Sequence, residues 1–384
     1  MERVFMAENV GRRGDTWFYR FDLPSSLDGQ RHQRRVGGFR TERDAKDAMA
    51  KALVAVSQGK LRHNPVKTFG DLATEWLGVI GADRKATTIA NYTTVIEAYL
   101  KPNIGSIRLD RLSTTKVQQL YSKLRVSGGK YGQSLSGTQV RNIHRVLHNV
   151  LGFGQRMGYI STNITDDVER PRDDTAERTI YSTEQVWTFL AATAEDRLAA
   201  LWYLAISTGL RRAELAGLRW SDVELDSQPP ILRVRLTRTT AGNRIVETSP
   251  KTKSGKRTLV LDQGSVDALV GHRELVQHEA TLRDEPKLPN FVFVDEFGEP
   301  FHPTRLTRML HSIQLREGLP MITLHDLRHT SATVALLAGV HPKVVSERHG
   351  HASVQITLDR YSHVLESMQL SAAVSIDKFL GQRA

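Results

Sequence analysis

The sequence predicts a multidomain chain that is mainly α with small β elements. Three observations carry this. At 384 residues the chain exceeds one ordinary core and fits two or three. Apolar residues recur at helical spacing through most of its length. Strand-like runs are short and confined to residues 16–39 and 231–261. The expected division is 1–64, 65–172 and 173–384.

The first segment reads as a small sheet plus one helix. Thr16 to Phe21 and His32 to Phe39 are the strands, with turn residues from Ser25 to Gly29 between them. A helix follows from Thr41 to Gly59, capped by Thr41, with Ala45, Ala48, Ala52, Leu53 and Val56 on its apolar face. The strands carry Arg20, Arg31, Arg34 and Arg35, with Trp17 and Tyr19 interleaved. A sheet face of that composition suits a DNA groove.

The second segment reads as a four-helix module. Helical spacing joins Phe69, Leu72, Trp76 and Leu77, and later Val117, Leu120, Tyr121 and Leu124. Breaks fall at Asn103-Ile104-Gly105 and Gly128-Gly129. The last helix holds Val140, Ile143, Leu147 and Val150 on one face and Arg141, Arg145 and His148 on another, which is expected to rest on phosphates. Glu169 to Arg178 reads as an exposed linker. The third segment opens with a capping box at Ser182-Thr183-Glu184-Gln185. A strand pair, Ile231–Val234 and Thr258–Leu261, interrupts its helices, with Gly255 in the connecting turn region.

Composition narrows the function. The net charge is +11, which favours a polyanionic partner. With no cysteine, disulfides, thiolate catalysis and cysteine zinc sites are excluded. No run reaches the length of a membrane span, and Met1 to Phe5 begins no apolar signal core, so a cytoplasmic protein is expected.

Four clusters in fixed order carry the chemistry. They are Thr208-Gly209-Leu210-Arg211-Arg212-Ala213-Glu214-Leu215; Pro250-Lys251-Thr252-Lys253-Ser254-Gly255-Lys256-Arg257; Leu324-His325-Asp326-Leu327-Arg328-His329-Thr330; and Gly350-His351, followed ten positions later by Tyr361. In these clusters the chain resembles the tyrosine recombinases, or phage integrases. The match covers a Thr-Gly-Leu-Arg box, a Lys-Thr turn between strands, a His-x-x-Arg box and a Gly-His with a downstream Tyr-x-His. The resemblance is firmest from Thr179 onward. Upstream, the two smaller segments fit more loosely the family's arm-type DNA-binding domain and helical core-binding domain.

The resemblance implies cleavage and rejoining of DNA through a 3′-phosphotyrosine, with Arg211, Lys251, His325, Arg328, His351 and Tyr361 catalytic and Glu214 supporting. Elementary chemistry agrees. Two guanidiniums can clamp the non-bridging oxygens of a phosphodiester and stabilise the charge added in the transition state. A phenol with a pKa near 10 needs nearby cations and a proton acceptor such as His325. A lysine on a turn can protonate the leaving 5′-oxygen. The family motif points to Lys251, while Lys253 would lie on the same side of an extended chain. Arg212 and Arg219 read as surface charges, and His349, where the family often has Leu, as a packing variant.

The expected partners are double-stranded DNA at core-type and arm-type sites, three further copies of the chain in a homotetramer, and a possible excision or host DNA-bending factor. No membrane and no cofactor are expected. Three other readings compete with this one. His325 and His329 have the spacing of a zinc-binding helix, but Asp326 stands where Glu is needed and Arg328 would put a cation beside the metal. A resolvase or type IB topoisomerase-like enzyme would share the chemistry, but the basic N-terminal segment favours an integrase. A silent DNA-binding regulator is disfavoured by the full residue set. After Tyr361, Val364, Leu365, Met368, Leu370, Ala373 and Val374 form an apolar stripe. It could pack in cis, whereas the resemblance suggests docking on a neighbouring protomer.

Overall fold

The computed structural model describes residues 9–23, 32–57, 67–172, 179–250, 252–285, 287–360, 373–374, 377 and 380. The chain divides into two compact units, Met1–Ala176 and Glu177–Ala384.

Unit 1 begins with an antiparallel sheet in the order β1 (Asn9–Arg13), β2 (Thr16–Leu23), β3 (His32–Phe39). Helix α1 (Glu42–Ser57) packs on it, and Thr41 caps α1 by accepting from the Asp44 N–H at 3.1 Å. Period-two alternation buries Tyr19 and Phe21 against Ala48, Ala52 and Leu53. Tyr19 therefore belongs to the core, correcting its expected place among the exposed arginines. The opposite face carries Arg20 directly across from Arg35, whose guanidinium lies 3.6 Å from the Phe18 ring centroid.

The helices of unit 1 are α2 (Phe69–Ile80), α3 (Ala86–Val95), α4 (Lys101–Ile104), α5 (Thr114–Ser127) and α6 (Gly137–Arg156). A π turn at Ile96–Leu100 joins α3 to α4. The four-helix pattern is thus present, with α3 and α4 as one interrupted helix. Their core gathers Phe69, Leu72, Leu100, Ile143 and Leu147.

Unit 2 packs α7 (Thr183–Ala192), α8 (Ala199–Thr208), α9 (Arg212–Leu215), α10 (Gln263–Leu282), α11 (Pro303–Arg316), α12 (Leu324–Leu337), α13 (Pro342–His349) and α14 (Val354–Arg360) with short strands. The strands β4 (Val223–Glu224), β5 (Ile231–Val234) and β8 (Arg257–Val260) form one sheet, in that order, with Leu232 opposite Leu259. A hairpin of β6 (Thr237–Ala241) and β7 (Arg244–Thr248) intervenes between β5 and β8. The lysine turn therefore follows β7, and it leads into β8. The core centres on Trp202, Phe189 and Leu201.

Helices α2, α6, α7 and α12 each begin with a reciprocal capping box: Thr68 with Asp71, Ser136 with Gln139, Ser182 with Gln185, and Thr323 with Asp326. The Ser182 box is the one expected from sequence. Most of the apolar stripe after Tyr361 lies outside the described residues.

Candidate functional site

Helix α8 ends at Gly209, which is left-handed with φ 61°, a conformation open to glycine at little cost. The chain turns there and presents Arg211 at the start of α9. Helix α13 ends the same way at Gly350, φ 62°. These two glycine turns meet the arginines. Arg211 Nη2 donates to the Gly350 carbonyl at 3.0 Å. Arg328, buried on α12, donates from Nη1 to the Gly209 carbonyl at 2.5 Å and from Nη2 to the His349 carbonyl. Residues far apart in sequence are thus joined through backbone oxygens, and each guanidinium is held by a rigid turn.

Glu214 sits beneath this junction, 3 % exposed. Its two oxygens accept from the Arg211 backbone N–H at 2.9 Å, Arg211 Nη1 at 2.8 Å, and Arg257 Nη1 and Nη2 at 3.0 and 2.9 Å. Burial pushes its carboxyl up, but Arg257 and then Arg211 outweigh that and hold it below the ordinary carboxylate value. The carboxylate stays charged and ties Arg211 in place.

Arg257 was not anticipated. It opens β8 at the end of the lysine turn, and its Nε donates to the Arg348 carbonyl at 2.6 Å. A methyl on Gly350 would stand 2.6 Å from the Ser254 carbonyl and 3.3 Å from Arg257 Cδ. The lysine turn therefore abuts the end of α13. The available signal was only position, since a lone Arg in so basic a chain reads as surface charge.

His325 is exposed on the first turn of α12, three residues before Arg328 and so on a neighbouring part of the helix surface. Its ring meets that of His329 edge-on at 4.7 Å. Asp326 caps the helix, accepting from the Thr323 N–H at 2.9 Å. Among the described residues no group of three His, Asp or Glu gathers as metal ligands. His351 is half-buried, with Nδ1 2.8 Å from the Thr357 hydroxyl. His349 is buried, its Nδ1 3.0 Å from the Val345 carbonyl. Lys251 and Tyr361 lie outside the described residues, as does the side chain of Lys253. Arg212 bonds Thr307 and Arg219 pairs with Glu247, consistent with roles away from the junction.

In unit 1, Arg20 and Arg35 are exposed on the sheet, while the Arg34 side chain is outside the described residues. Arg141 and Arg145 line a groove of about 750 Å³ on α6, together with Arg170 and Arg172. Arg141 donates to the Pro171 carbonyl at 3.3 Å and Arg145 to Asn142 at 2.8 Å. His148 Nε2 lies 3.0 Å from Asp166 Oδ1, which brings a carboxylate to the face expected to meet phosphates.

Residues 180–368 match the phage integrase family, residues 68–125 the phage integrase N-terminal SAM-like domain, and residues 9–56 an arm DNA-binding domain. The tyrosine recombinase XerC-like protein of Caldanaerobacter subterraneus subsp. tengcongensis is 28% identical over 331 residues, 81% of this chain and 83% of its own. The ICEBs1 integrase of Bacillus subtilis is 22% identical, over 88% of this chain and 91% of its own. In fold, the chain is similar to the Tn1549 transposon integrase in complex with transposon right end DNA, with a TM-score of 0.66 and 21% identity over 82% of this chain and 99% of that one. It is also similar to a lambda integrase dimer bound to a COC′ core site, with a TM-score of 0.58 and 16% identity over 94% and 96%. Among the described residues no helix is long and apolar enough to cross a membrane. With three family matches in the order of the chain, this protein belongs to the tyrosine recombinase, or phage integrase, family.

Proposed function

We propose that the protein is an integrase that cuts and rejoins duplex DNA at specific sites, inserting or excising a mobile element through a 3′-phosphotyrosine at Tyr361. The observation that carries this reading is the junction where Arg211 and Arg328 are both held by the ends of the Gly209 and Gly350 turns. Two guanidiniums so fixed form a preorganised clamp for a phosphodiester.

In the proposed step the Tyr361 oxygen attacks phosphorus and the bond to the 5′-oxygen breaks. His325 takes the phenolic proton, and Lys251 gives one to the leaving oxygen. His351 donates to a phosphate oxygen, and Glu214 holds Arg211. The phosphotyrosine conserves the bond energy, so the reverse attack by a 5′-hydroxyl reseals the strand without ATP. No step calls on a metal, so cleavage in excess chelator is expected.

The division into an arm-type DNA-binding domain at 1–64, a helical core-binding domain at 65–172 and a catalytic domain at 173–384 belongs to this reading. Separate apolar clusters around Phe21, Leu147 and Leu201 support it. Arg20, Arg34 and Arg35 would meet arm-type sites, and Arg141 and Arg145 the core-type site. Exchange between two duplexes needs four active sites, hence a homotetramer on DNA, working in the bacterial cytoplasm with an excision or DNA-bending partner.

Tyr361→Phe tests the centre of the proposal. It removes one oxygen, and the variant should bind DNA as wild type does yet form no covalent adduct on a nicked suicide substrate. A persisting adduct would move the nucleophile elsewhere. Tyr181 and Tyr203 are poor substitutes, because burial raises both phenols above the ordinary value.

A further inference from the structure

His349 ends α13 inside the protein, 2 % exposed, between the two glycine turns. Its ring is fixed by one bond. Nδ1 faces the Val345 carbonyl at 3.0 Å, and a carbonyl only accepts, so the proton of the neutral ring is on Nδ1. Nε2 is then a bare lone pair, and among the described residues it has no hydrogen-bond partner. It points at Gly209, so closely that a methyl there would overlap Nε2 and the adjoining ring carbons. The backbone carbonyls of these same two residues, Gly209 and His349, are the ones that receive Arg328.

We propose that His349 is a positioning residue for Arg328: its imidazole is the spacer that sets the distance between the Gly209 turn and the end of α13, and so the aim of the guanidinium bonded to both. The inference rests on the reading of Arg328 as part of the phosphate clamp. The glycine at 209 is needed twice over, for its left-handed backbone and for the ring that occupies the place of its missing side chain.

The spacer works only as the neutral ring. A second proton would sit on Nε2, which has no hydrogen-bond acceptor among the described residues, the Gly209 carbonyl being taken by Arg328. It would also place a cation beside Arg328 of α12, Arg257 of β8 and His351. The described side chains of α14 bring no charge to balance it. Burial first, then Arg328 and His351, hold the imidazole well below its ordinary value of 6.5. The sign follows. The neutral ring's contribution is complete above the ordinary value and is lost progressively as pH falls below it.

The experiment measures the rate of covalent adduct formation on a suicide substrate, at saturating full-length protein, with DNA affinity measured separately. His349→Ala removes the spacer. Near neutral pH it should slow adduct formation about tenfold or more, with affinity within about twofold of wild type. A substrate with a methylphosphonate at the cleavage point lacks the charge that the clamp must meet, so the defect should shrink on it. His349→Leu refills the space without a lone pair. It should restore most of the rate near neutrality and should lose less activity than wild type on acidification. A His349→Ala rate within about twofold of wild type would overturn the proposal, as would an equal loss on both substrates. If His349→Ala shows no cooperative melt, the acid profiles decide. A His349→Leu profile that falls in step with wild type would overturn it. An adduct that persists in Tyr361→Phe would instead displace the nucleophile and leave this comparison intact, since it reads adduct rate and not adduct position.

Discussion

Arg257 holds Glu214 by both terminal guanidinium nitrogens, Nη2 to Oε2 at 2.9 Å and Nη1 to Oε1 at 3.0 Å, with both side chains almost wholly buried. The same arginine reaches the Arg348 carbonyl through Nε. One planar side chain therefore connects the start of β8, the Glu214 carboxylate and the end of α13, and a lysine cannot supply that fork.

Arg257→Ala would leave the Glu214 carboxylate buried with Arg211 as its remaining guanidinium partner. Removing one member of a buried pair costs about 3–5 kcal/mol. Denaturant unfolding should show a loss in that range, and Arg257→Lys should recover only part of it. A change below about 1 kcal/mol would mean that the site relaxes around the gap.

Glu214 gives a pH signature. Its folded-state carboxyl lies below the ordinary value of 4.5, so its stabilisation is present above that value and is lost as pH falls through the folded one. The stability gap between wild type and Glu214→Gln should stay constant from neutrality to mildly acid pH and then narrow. A gap independent of pH into the acid range would show that the charge contributes nothing.

The two lysines separate on a sulfur substrate. Replacing the bridging 5′-oxygen by sulfur makes a leaving group that needs no proton. Lys251→Ala should cleave ordinary DNA about a hundredfold more slowly or worse, yet cleave the sulfur substrate at nearly the wild-type rate. Lys253→Ala should show a smaller defect without selective rescue, and Arg211→Ala should remain impaired on both. Rescue of Lys253→Ala instead would shift the general acid by two residues.

Deleting residues 1–64 should spare cleavage at a core site and abolish binding to arm sites. Each lost phosphate contact should reduce the slope of log affinity against log salt by about 0.9. An unchanged slope with arm-site binding intact would remove the first segment from DNA recognition.

Local signals were legible in the sequence where they act alone. The Ser182 box, the Thr41 cap and the breaks after Ile104 and Ser127 all rest on neighbouring residues. The β6–β7 hairpin is hard to read because Thr237–Ala241 is mostly polar and Arg244–Thr248 has only Ile245 and Val246, side by side rather than alternating, although its Gly242-Asn243 turn is a hairpin signal. Tyr19 was assigned to the wrong face because adjacent aromatics hide the alternation; only the β2–β3 register separates Phe18 from Tyr19 and Phe21. At the site, the motifs named Arg211, Glu214 and Arg328. What holds the arginines is backbone carbonyl oxygen from distant turns, and sequence pattern carries no trace of that. Arg257 was hidden for the same reason.

The capping boxes and the glycine turns have a consequence for biosynthesis. Helices α7 and α12 carry their own start signals, so where each begins is set by its own first turn as soon as that turn has emerged from the ribosome. The arginines cannot be aimed so early. Arg211 and Arg328 donate to the Gly350 and His349 carbonyls, and the bond from Arg211 to Gly350 spans 139 residues. Closing so long a loop comes late in folding. A nascent or truncated chain that stops before residue 349 therefore lacks the carbonyls that receive these guanidiniums, and the proposed phosphate clamp cannot be set until that stretch has been made.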